Sequence, residues 1–399
     1  MATYKEQNKL NVPHLRFPEF HGEWCISTIG EQFDLYSGNT PSRLNKEHFE
    51  GNVNWITSGE LKEHYISDTK EKISEDAATA NNLKLLHPGT FVIAIYGLEA
   101  DGVRGTGSIT CKESTISQAC MAFTQKGDVK NEFLYSWYKK HGNIIGIKYA
   151  QGTKQQNLSY DILEKFHIAF PSQDEQDKLI KFISLLDERI ATQSKLIEDL
   201  KKLKSAIIEI EYTPNNKNTS HIGDVIEQIS KRNKNNTIQN VLSVSNRQGF
   251  IKQSDQFENR NVASEDTSNY KIVEQNDFAF NPARINVGSI ARLTTFEKGI
   301  VSPMYICFRT QENVAPEYID FFFESKHFYC EIQKRLEGSV RQCLSFEGLC
   351  NIPFSLPSLE MQQRIGKRLF TLGQKIKTET DLLELLNKQK QYLLRQMFI

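Results

Sequence analysis

Amide and cationic side chains gather in stretches of this sequence that contain no acidic residue. The stretch 139–159 holds four lysines and no acid, and the stretch 229–253 holds five cations and no acid. Asparagine and glutamine can form paired hydrogen bonds with adenine, arginine and lysine can do so with guanine, and the cations also suit phosphate. These residue types therefore point to DNA contact as the first chemistry to consider.

The candidate contacts occur in both halves of the chain. They are Lys148, Gln151, Lys154, Gln155 and Gln156 in the first half, and Lys231, Arg232, Arg247, Asn281, Arg284, Arg341 and Gln342 in the second. For any single residue, a solvated loop position is an equally good account. Because the same residue types recur as a set in both halves, we favour DNA contact for the set.

Motifs for catalysis or metal binding are not found. The sequence contains no Walker A motif, the run 101–109 (DGVRGTGSI) does not fit G-x-G-x-x-G, and residues 281–284 (NPAR) depart from the Asn-Pro-Pro-aromatic motif of amino-methyltransferases. The nine histidines include no H-E-x-x-H pattern. We therefore expect a non-catalytic chain without a metal site. The enzymatic alternative is a nuclease, which would require clustered carboxylates and a divalent metal.

Composition limits the class of protein. The chain has 399 residues, with 49 basic and 49 acidic side chains and a net charge of zero at pH 7. This length predicts two or three domains, and the charge excludes a uniformly basic nucleic-acid binder while allowing local basic surfaces. The seven cysteines form no C-x-x-C pair, and the longest apolar run, 91–96, is too short to cross a bilayer. We expect a cytoplasmic protein with reduced thiols and no membrane segment.

An internal repeat organises the elements that must position these residues. Residues 152–159 read GTKQQNLS and residues 338–345 read GSVRQCLS, which places the second copy 186 positions after the first. The same offset relates the tails that follow each copy without a gap, whereas the front portions upstream match only loosely. The repeat therefore predicts a common frame that carries two different recognition surfaces, because loops tolerate change and carry specificity.

The two tails share one heptad pattern. The apolar seam consists of Leu179, Ile183, Leu186, Ile190, Ile197, Leu200 and Ile207 in the first tail, and of Ile365, Leu369, Leu372, Ile376, Leu383, Leu386 and Leu393 in the second. This pattern predicts a coiled coil, and we favour antiparallel pairing of the two tails over burial in separate globular cores. Polar residues interrupt the seam at equivalent positions, Gln193 with Glu379 and Lys204 with Lys390, and such residues usually set register.

The front portions read as mixed α and β structure. Apolar runs predict strands near 91–96, 121–123, 278–280 and 305–309, and helices over 131–140 and 316–336. Residues 212–220 have the composition of a linker. The predicted fold is therefore mixed α/β (α+β), with two globular domains separated by two long antiparallel coiled-coil helices in a pseudo-two-fold repeat.

Several of these segments resemble the specificity subunit of type I restriction–modification systems, in the form found in Gram-positive bacteria. The resemblance is carried by the opening 12–20 (VPHLRFPEF) with 22–24 (GEW), by 37–41 (SGNTP), and by the repeated G-T-x-x-Q-x-x-L-S run. It covers nearly the whole chain. One departure is that the second half has 229–233 (ISKRN) where the first half has S-G-x-T-P.

The resemblance implies two target recognition domains, each reading one half of a split target in double-stranded DNA, while the two helices set the unread spacer. It also implies that two methyltransferase subunits dock on the chain, bind S-adenosylmethionine and methylate adenine. Restriction subunits that translocate DNA would complete the complex, with ATP and Mg bound in these partner subunits. The chain itself would bind no cofactor.

The predicted division of the chain follows the repeat. It has the N-terminal segment and first recognition domain at 1–172, the first spacer helix at 173–211, the linker and second recognition domain at 212–357, and the second spacer helix at 358–399. Leu15, Phe17 and Phe20 form an apolar cluster before the first domain. We expect this cluster to contact the methyltransferase, with packing on the chain's own coiled coil as an equally good alternative. The alternative to DNA recognition as a whole is a two-armed scaffold whose globular ends bind protein.

Overall fold

The computed structural model describes residues 11–100, 102–152, 156–213, 219–246, 248–256, 266–338 and 342–399. The chain forms two compact units. The first unit consists of residues 1–192 and 382–399, and the second of residues 193–381. Each unit therefore contains one copy of the repeat and segments of both long helices.

In its described residues, the first unit contains ten strands and four short or medium helices. The strands are β1 (Cys25–Thr28), β2 (Phe33–Ser37), β3 (Val53–Ile56), β4 (Tyr65–Ile66), β5 (Lys72–Ile73), β6 (Phe91–Ala94), β7 (Gly107–Thr110), β8 (Ser114–Ile116), β9 (Cys120–Gln125) and β10 (His167–Phe170). The helices are α1 (Ile29–Gln32), α2 (Glu75–Ala80), α3 (Asn131–Tyr149) and α4 (Tyr160–Leu163), with 3-10 turns at Lys46–Phe49 and Ser58–Glu60. The long helix α5 (Gln173–Tyr212) then begins directly after Pro171-Ser172.

The second unit contains the remaining strands and helices. The strands are β11 (Thr219–His221), β12 (Ile226–Ile229), β13 (Val241–Ser245), β14 (Gly249–Lys252), β15 (Lys271–Glu274), β16 (Phe278–Phe280), β17 (Ile290–Arg292), β18 (Lys298–Val301), β19 (Ile306–Thr310) and β20 (Pro353–Ser355). The helices are α6 (Gln253–Gln256), α7 (Pro316–Phe322), α8 (Lys326–Gln333), α9 (Phe346–Cys350) and the long α10 (Leu359–Met397), with 3-10 turns at Ile222–Asp224 and Ile285–Val287.

The two units have matching sheet topologies. The larger sheet of the first unit has the order β2-β9-β6-β7-β4, and the second unit has the sheet β12-β19-β16-β17 with the same pairings. The smaller sheets, β5-β3-β8 and β14-β13-β18-β15, each contain a parallel pair, β3 with β8 and β13 with β18. A separate antiparallel pair joins the start of each unit to the strand before each long helix, as β1–β10 and β11–β20. The repeat seen in the sequence is therefore a repeat of the fold.

The predicted seam is buried within each unit. None of its fourteen apolar residues is exposed, and Leu179, Ile183, Ile365 and Leu369 are at most 5% exposed. In the first unit, α5 and α10 are antiparallel, since Leu179 and Ile183 share a core with Leu394 and Phe398. The second unit has the same arrangement: Gln193 lies beside Glu379 and Glu211 beside Arg368. These contacts confirm the predicted antiparallel pairing.

The polar interruptions of the seam are paired. Gln193 donates hydrogen bonds to the carboxylate of Glu379 at 2.6 Å and to its backbone carbonyl at 3.0 Å. Lys390 forms an ion pair with Asp187 of α5, and Lys204 forms one with Glu324. A shift of one heptad would separate Gln193 from Glu379, so this pair supports the register prediction.

Most of the strands and helices predicted from apolar runs are confirmed, with two corrections. The predicted helix 316–336 is interrupted after Phe322, because Ser325 caps a new helix by accepting a hydrogen bond from the Phe328 amide at 3.1 Å. The predicted linker is shorter than 212–220, since Tyr212 ends α5 and Thr219–His221 forms β11. The four-part division of the chain stays a prediction. Among the described residues, no helix combines the length and apolarity needed to span a membrane.

Candidate nucleic-acid interface

The predicted DNA contacts of the first unit follow helix α3. Lys148 lies exposed in its last turn, and Gln151 lies exposed in the loop that follows. Gln151 and Asn157 exchange two backbone hydrogen bonds of 2.9 Å, which close the loop at its base. Gly152 opens the loop with a φ of +109°, a conformation that favours glycine. Lys154 and Gln155 lie outside the described residues.

A second loop, 95–106, lies against this one. The Leu158 amide donates to the Ile95 carbonyl at 2.9 Å, and the Arg104 guanidinium donates to the side-chain oxygen of Gln156 at 2.8 Å. The backbone amide of Gln156 donates to the Glu99 carboxylate at 2.8 Å and thereby lowers the pKa of Glu99. Gln156 is half-buried and positions Arg104, so its side-chain oxygen is already used within the unit.

The second unit has the same pair of loops. Glu337 and Cys343 exchange two backbone hydrogen bonds of 2.9 Å, and Gly338 has a φ of +103°. The Leu344 amide donates to the Pro282 carbonyl at 3.0 Å, which joins this loop to the loop 281–289. Gln342 lies exposed on the first of these loops, and Arg284 lies exposed on the second. The structure therefore brings these two predicted contacts together, while Arg341 lies outside the described residues.

Asn281 is a correction to the predicted set. Its side chain is 8% exposed, and its carbonyl oxygen accepts a hydrogen bond from the Ala283 amide at 3.1 Å. Its backbone amide donates to the Ser289 carbonyl at 3.0 Å. Asn281 therefore holds the loop that presents Arg284, and burial removes it from the surface that DNA could reach.

Lys231 and Arg232 occupy a different part of the second unit. Both are exposed on the loop after β12, and they line an open groove of about 860 Å³ together with Lys234 and Lys298. Arg232 donates to the side-chain oxygen of Asn269 at 3.0 Å. Lys298 is paired with Glu274 at 2.9 Å, so Lys231, Arg232 and Lys234 give the groove the charge that phosphate contact requires. The predicted contact Arg247 lies outside the described residues.

Sequence reasoning missed Arg104. Its loop corresponds in topology to the loop that presents Arg284, since the two loops join β6 to β7 and β16 to β17. The run 101–109 around Arg104 does not fit the nucleotide-binding glycine motif and gives no signal on its own. The signal that could have found it is the repeat itself, because Arg284 was already in the predicted set and the Gly-Ser-Ile runs at 107–109 and 288–290 bring the two loops into correspondence.

The predicted partner cluster is only partly available. Phe17 packs edge-on against Phe182 of α5 at 5.8 Å between ring centroids, and the Lys178 ammonium lies 4.6 Å from its ring. Phe17 therefore packs on α5, as the intramolecular alternative expects, and its contact with the methyltransferase stays a prediction. Leu15 is 40% exposed, and its backbone amide donates to the Gln396 carbonyl at 3.0 Å. Phe20 is half-buried beside Lys178, at 6.0 Å.

The outer faces of the long helices carry apolar side chains outside the seam. Those at least 40% exposed are Leu185, Leu196, Leu203 and Ile210 on α5, and Phe370, Leu385 and Tyr392 on α10. Leu196, Leu203 and Ile210 are spaced by seven residues and so lie along one face of α5. Exposed apolar rows of this kind mark surfaces that another protein can cover.

A half-buried charge cluster in the first unit links His64 to helix α5. The His64 imidazole lies between the rings of Tyr65 and Tyr135, with centroid distances of 4.1 and 3.9 Å. Its Nε2 atom is 2.9 Å from Glu132 Oε2, and its Nδ1 atom is 3.3 Å from Asp187 Oδ2. Burial opposes protonation of the imidazole, but the contacts with Asp187 and Glu132 outweigh it and raise the pKa of His64.

The Asp187 carboxylate joins this cluster to α10. It also accepts from Lys390, and these two contacts outweigh burial and lower the pKa of Asp187. Lys139 lies 5.1 Å from the Tyr135 ring, and burial lowers its pKa to about 8. Among the described residues, no group of three or more His, Cys, Asp or Glu side chains is arranged to hold a metal ion.

Comparisons with known proteins identify the family. The sequence matches the family described as Type I restriction modification DNA specificity domain twice, over residues 21–202 and 214–388. It is 23% identical to the specificity subunit of the type I restriction enzyme MjaVIII of Methanocaldococcus jannaschii, over 98% of this chain and 94% of that protein. It is 27% identical to the MjaIX specificity subunit of the same organism, over 45% of this chain and 42% of that protein.

The fold is also known. The crystal structure of a type I restriction–modification S subunit from M. genitalium has a TM-score of 0.62 and 18% identity, and covers 97% of this chain and 99% of that one. These relatives are specificity subunits, so the prediction of a non-catalytic DNA-recognition chain is confirmed. The chain belongs to the type I restriction modification DNA specificity domain family, with one copy of that domain in each half.

Proposed function

We propose that this specificity subunit reads a bipartite target in double-stranded DNA, with one half-site for each unit. The observation that carries the proposal is the paired-loop arrangement, which recurs in both units with different side chains. In the first unit it presents Gln151, with Arg104 half-buried beside it in contact with Gln156, and in the second it presents Gln342 and Arg284. A shared frame with different amide and guanidinium groups is what two different half-sites would require.

The long helices support the proposed spacer. Helix α5 has 40 residues and α10 has 39, and the Gln193–Glu379 pair joins positions that are equivalent in the repeat. We propose that the two helices hold the recognition surfaces in a fixed relation and so set the number of unread base pairs. A polar pair in a mostly apolar seam favours one register, as a fixed spacer requires.

We further propose that methyltransferase subunits dock on the exposed apolar rows of α5 and α10, together with Leu15. Leu203 lines an open groove of about 600 Å³ with Ile207 and the cations of Arg364, Lys367 and Arg368. This mixed apolar and basic surface suits an amphipathic acidic helix of a partner. In this proposal the partners, which include restriction subunits, supply S-adenosylmethionine, ATP and Mg, and this chain binds none of them.

Single-molecule sequencing of methyladenine tests the proposal. A host that carries this chain and its methyltransferase should show a new split motif with two defined ends and a fixed unread spacer. A strain in which only this gene is deleted should lose that motif. Methylation without a split motif would contradict the proposal, and no methylation despite a purified complex would favour the protein scaffold.

A further inference from the structure

The loop 38–52 of the first unit corresponds to the loop 230–240 of the second. The first follows β2, the edge strand that pairs with β9, and leads into β3, the central strand of the smaller sheet. The second follows β12, which pairs with β19, and leads into β13 of the matching sheet. The loop of the second unit carries the exposed cations Lys231 and Arg232, so the first loop occupies a position suited to DNA contact.

This loop is held in place at its base. A Cβ atom on Gly38 would lie 1.9 Å from the Ile116 carbonyl oxygen, so only glycine fits there. The Trp55 indole donates to the Asn39 carbonyl at 3.2 Å, and the Thr40 amide donates to the Asn39 side chain at 2.8 Å. These contacts fix the path of the chain before the loop tip.

One cation of the loop, Arg43, forms its contacts within the unit. Arg43 donates two hydrogen bonds of 2.7 Å to the Glu71 carboxylate. Its guanidinium also stacks over Phe49 at 4.7 Å and Trp55 at 5.7 Å. Arg43 therefore stiffens the loop although its own side chain is 57% exposed, and the next residue places an apolar side chain in solvent.

Leu44 is 98% exposed, the highest value of any large apolar side chain in the described part of the chain. Its neighbours Ser42, Asn45 and Lys46 are polar and exposed. A single leucine among polar side chains is too small for the core of a protein interface, which buries on the order of 1,000 Å². It matches in size one apolar group on an otherwise polar surface, and in the major groove that group is the methyl of thymine.

We propose that Leu44 is a specificity-determining residue that contacts a thymine methyl in the half-site of the first unit. Ser42 and Asn45 beside it can bond base edges, and Lys46 can contact phosphate. The inference rests on the proposed function and adds an apolar reading element to it. It also predicts different base contacts for the two units, since the corresponding loop of the second unit carries cations and no leucine.

Deoxyuridine, which lacks the thymine methyl, gives a direct test. The reconstituted complex of this chain with its methyltransferase is titrated with duplexes in which each thymine of both half-sites is replaced in turn. For the wild type, replacement should weaken binding about fourfold at positions confined to one half-site. Leu44→Ala should weaken binding of the thymine duplex by about the same factor. For this variant, replacing thymine by deoxyuridine should cause no further loss of affinity.

Three outcomes would overturn the inference. These are unchanged DNA affinity of Leu44→Ala with normal methyltransferase capture, unchanged DNA affinity with weaker methyltransferase capture, and losses from the variant and the base that multiply to about sixteenfold. Ile26→Ala, which alters a 54% exposed side chain on β1, is the matched control and should leave DNA affinity unchanged. Absence of sequence-specific binding by the wild-type complex would instead contradict the proposed function.

Discussion

The two units attach to the long helices at equivalent positions but with different chemistry. A buried aromatic residue lies at the C-terminal end of each long helix. Tyr212 is the last residue of α5 in the second unit, and Phe398 directly follows α10 in the first unit, 186 positions later. Phe398 packs on Phe133 with ring centroids 5.2 Å apart, whereas Tyr212 packs on Tyr318 and donates a hydrogen bond of 2.6 Å to its carbonyl. The shape of the attachment is shared, and its polar contacts are not.

The seam lysines differ in the same way. Lys390 pairs with Asp187 of α5, inside a cluster that also holds His64, while Lys204 pairs with Glu324, which follows α7. The side chain of Asp187 is 21% exposed and that of Glu324 is 48% exposed. The repeat preserves apolar packing closely, whereas each unit has its own charges around that packing.

Removing the terminal aromatic residue should have the largest effect. Tyr212→Ala is expected to destabilise the second unit by about 4 kcal/mol, because it empties a fully buried site. Hydrogen exchange of the full chain should show faster exchange in residues 193–381, and Phe398→Ala should do the same for the first unit. Tyr212→Phe, which loses only the hydrogen bond, should cost about 1 kcal/mol. Equal loss of protection in both units from either variant would contradict separate attachment.

Breaking the two seam ion pairs should destabilise the two units by different amounts, and both losses should be smaller than that of Tyr212→Ala. Asp187→Asn leaves Lys390 and His64 without their shared carboxylate in a mostly buried site, and should cost about 2 kcal/mol in the free energy of unfolding. Glu324→Gln is the matched change at an exposed pair and should cost about 0.5 kcal/mol or less. Chemical denaturation of both variants measures the difference. A larger loss from Glu324→Gln would invert the comparison.

The smallest expected effect is that of the His64 charge on the pH dependence of stability. The pKa of His64 is raised in the folded chain, so its stabilisation is complete below about pH 6.5 and is lost as the pH rises through the raised value. The melting temperature of the wild type should therefore exceed that of His64→Gln more at pH 6 than at pH 8.5. Taking this difference cancels the titration of nearby Lys139, whose pKa is about 8. A constant difference across this range would mean that the His64 charge contributes nothing.

The sequence predicted best what depends on local periodicity. The heptad pattern identified the seam because apolar spacing reports burial along a helix directly, and the 186-residue offset identified the repeated frame. The sequence could not locate contacts between distant segments. Arg104 with Gln156 and His64 with Asp187 are separated by 52 and 123 positions, and no local pattern links them. The prediction of a DNA contact at Asn281 failed for the same reason. Asparagine is a residue type that suits base contact, and only the folded loop buries this one.

The central claim is that each unit reads its own half-site. It is tested most directly by methyladenine sequencing in strains that carry Arg104→Ala or Arg284→Ala. Each variant should relax base preference in a different half of the motif, while the other half and the spacer length are unchanged. Relaxation of the same half by both variants, or of both halves by either one, would contradict it.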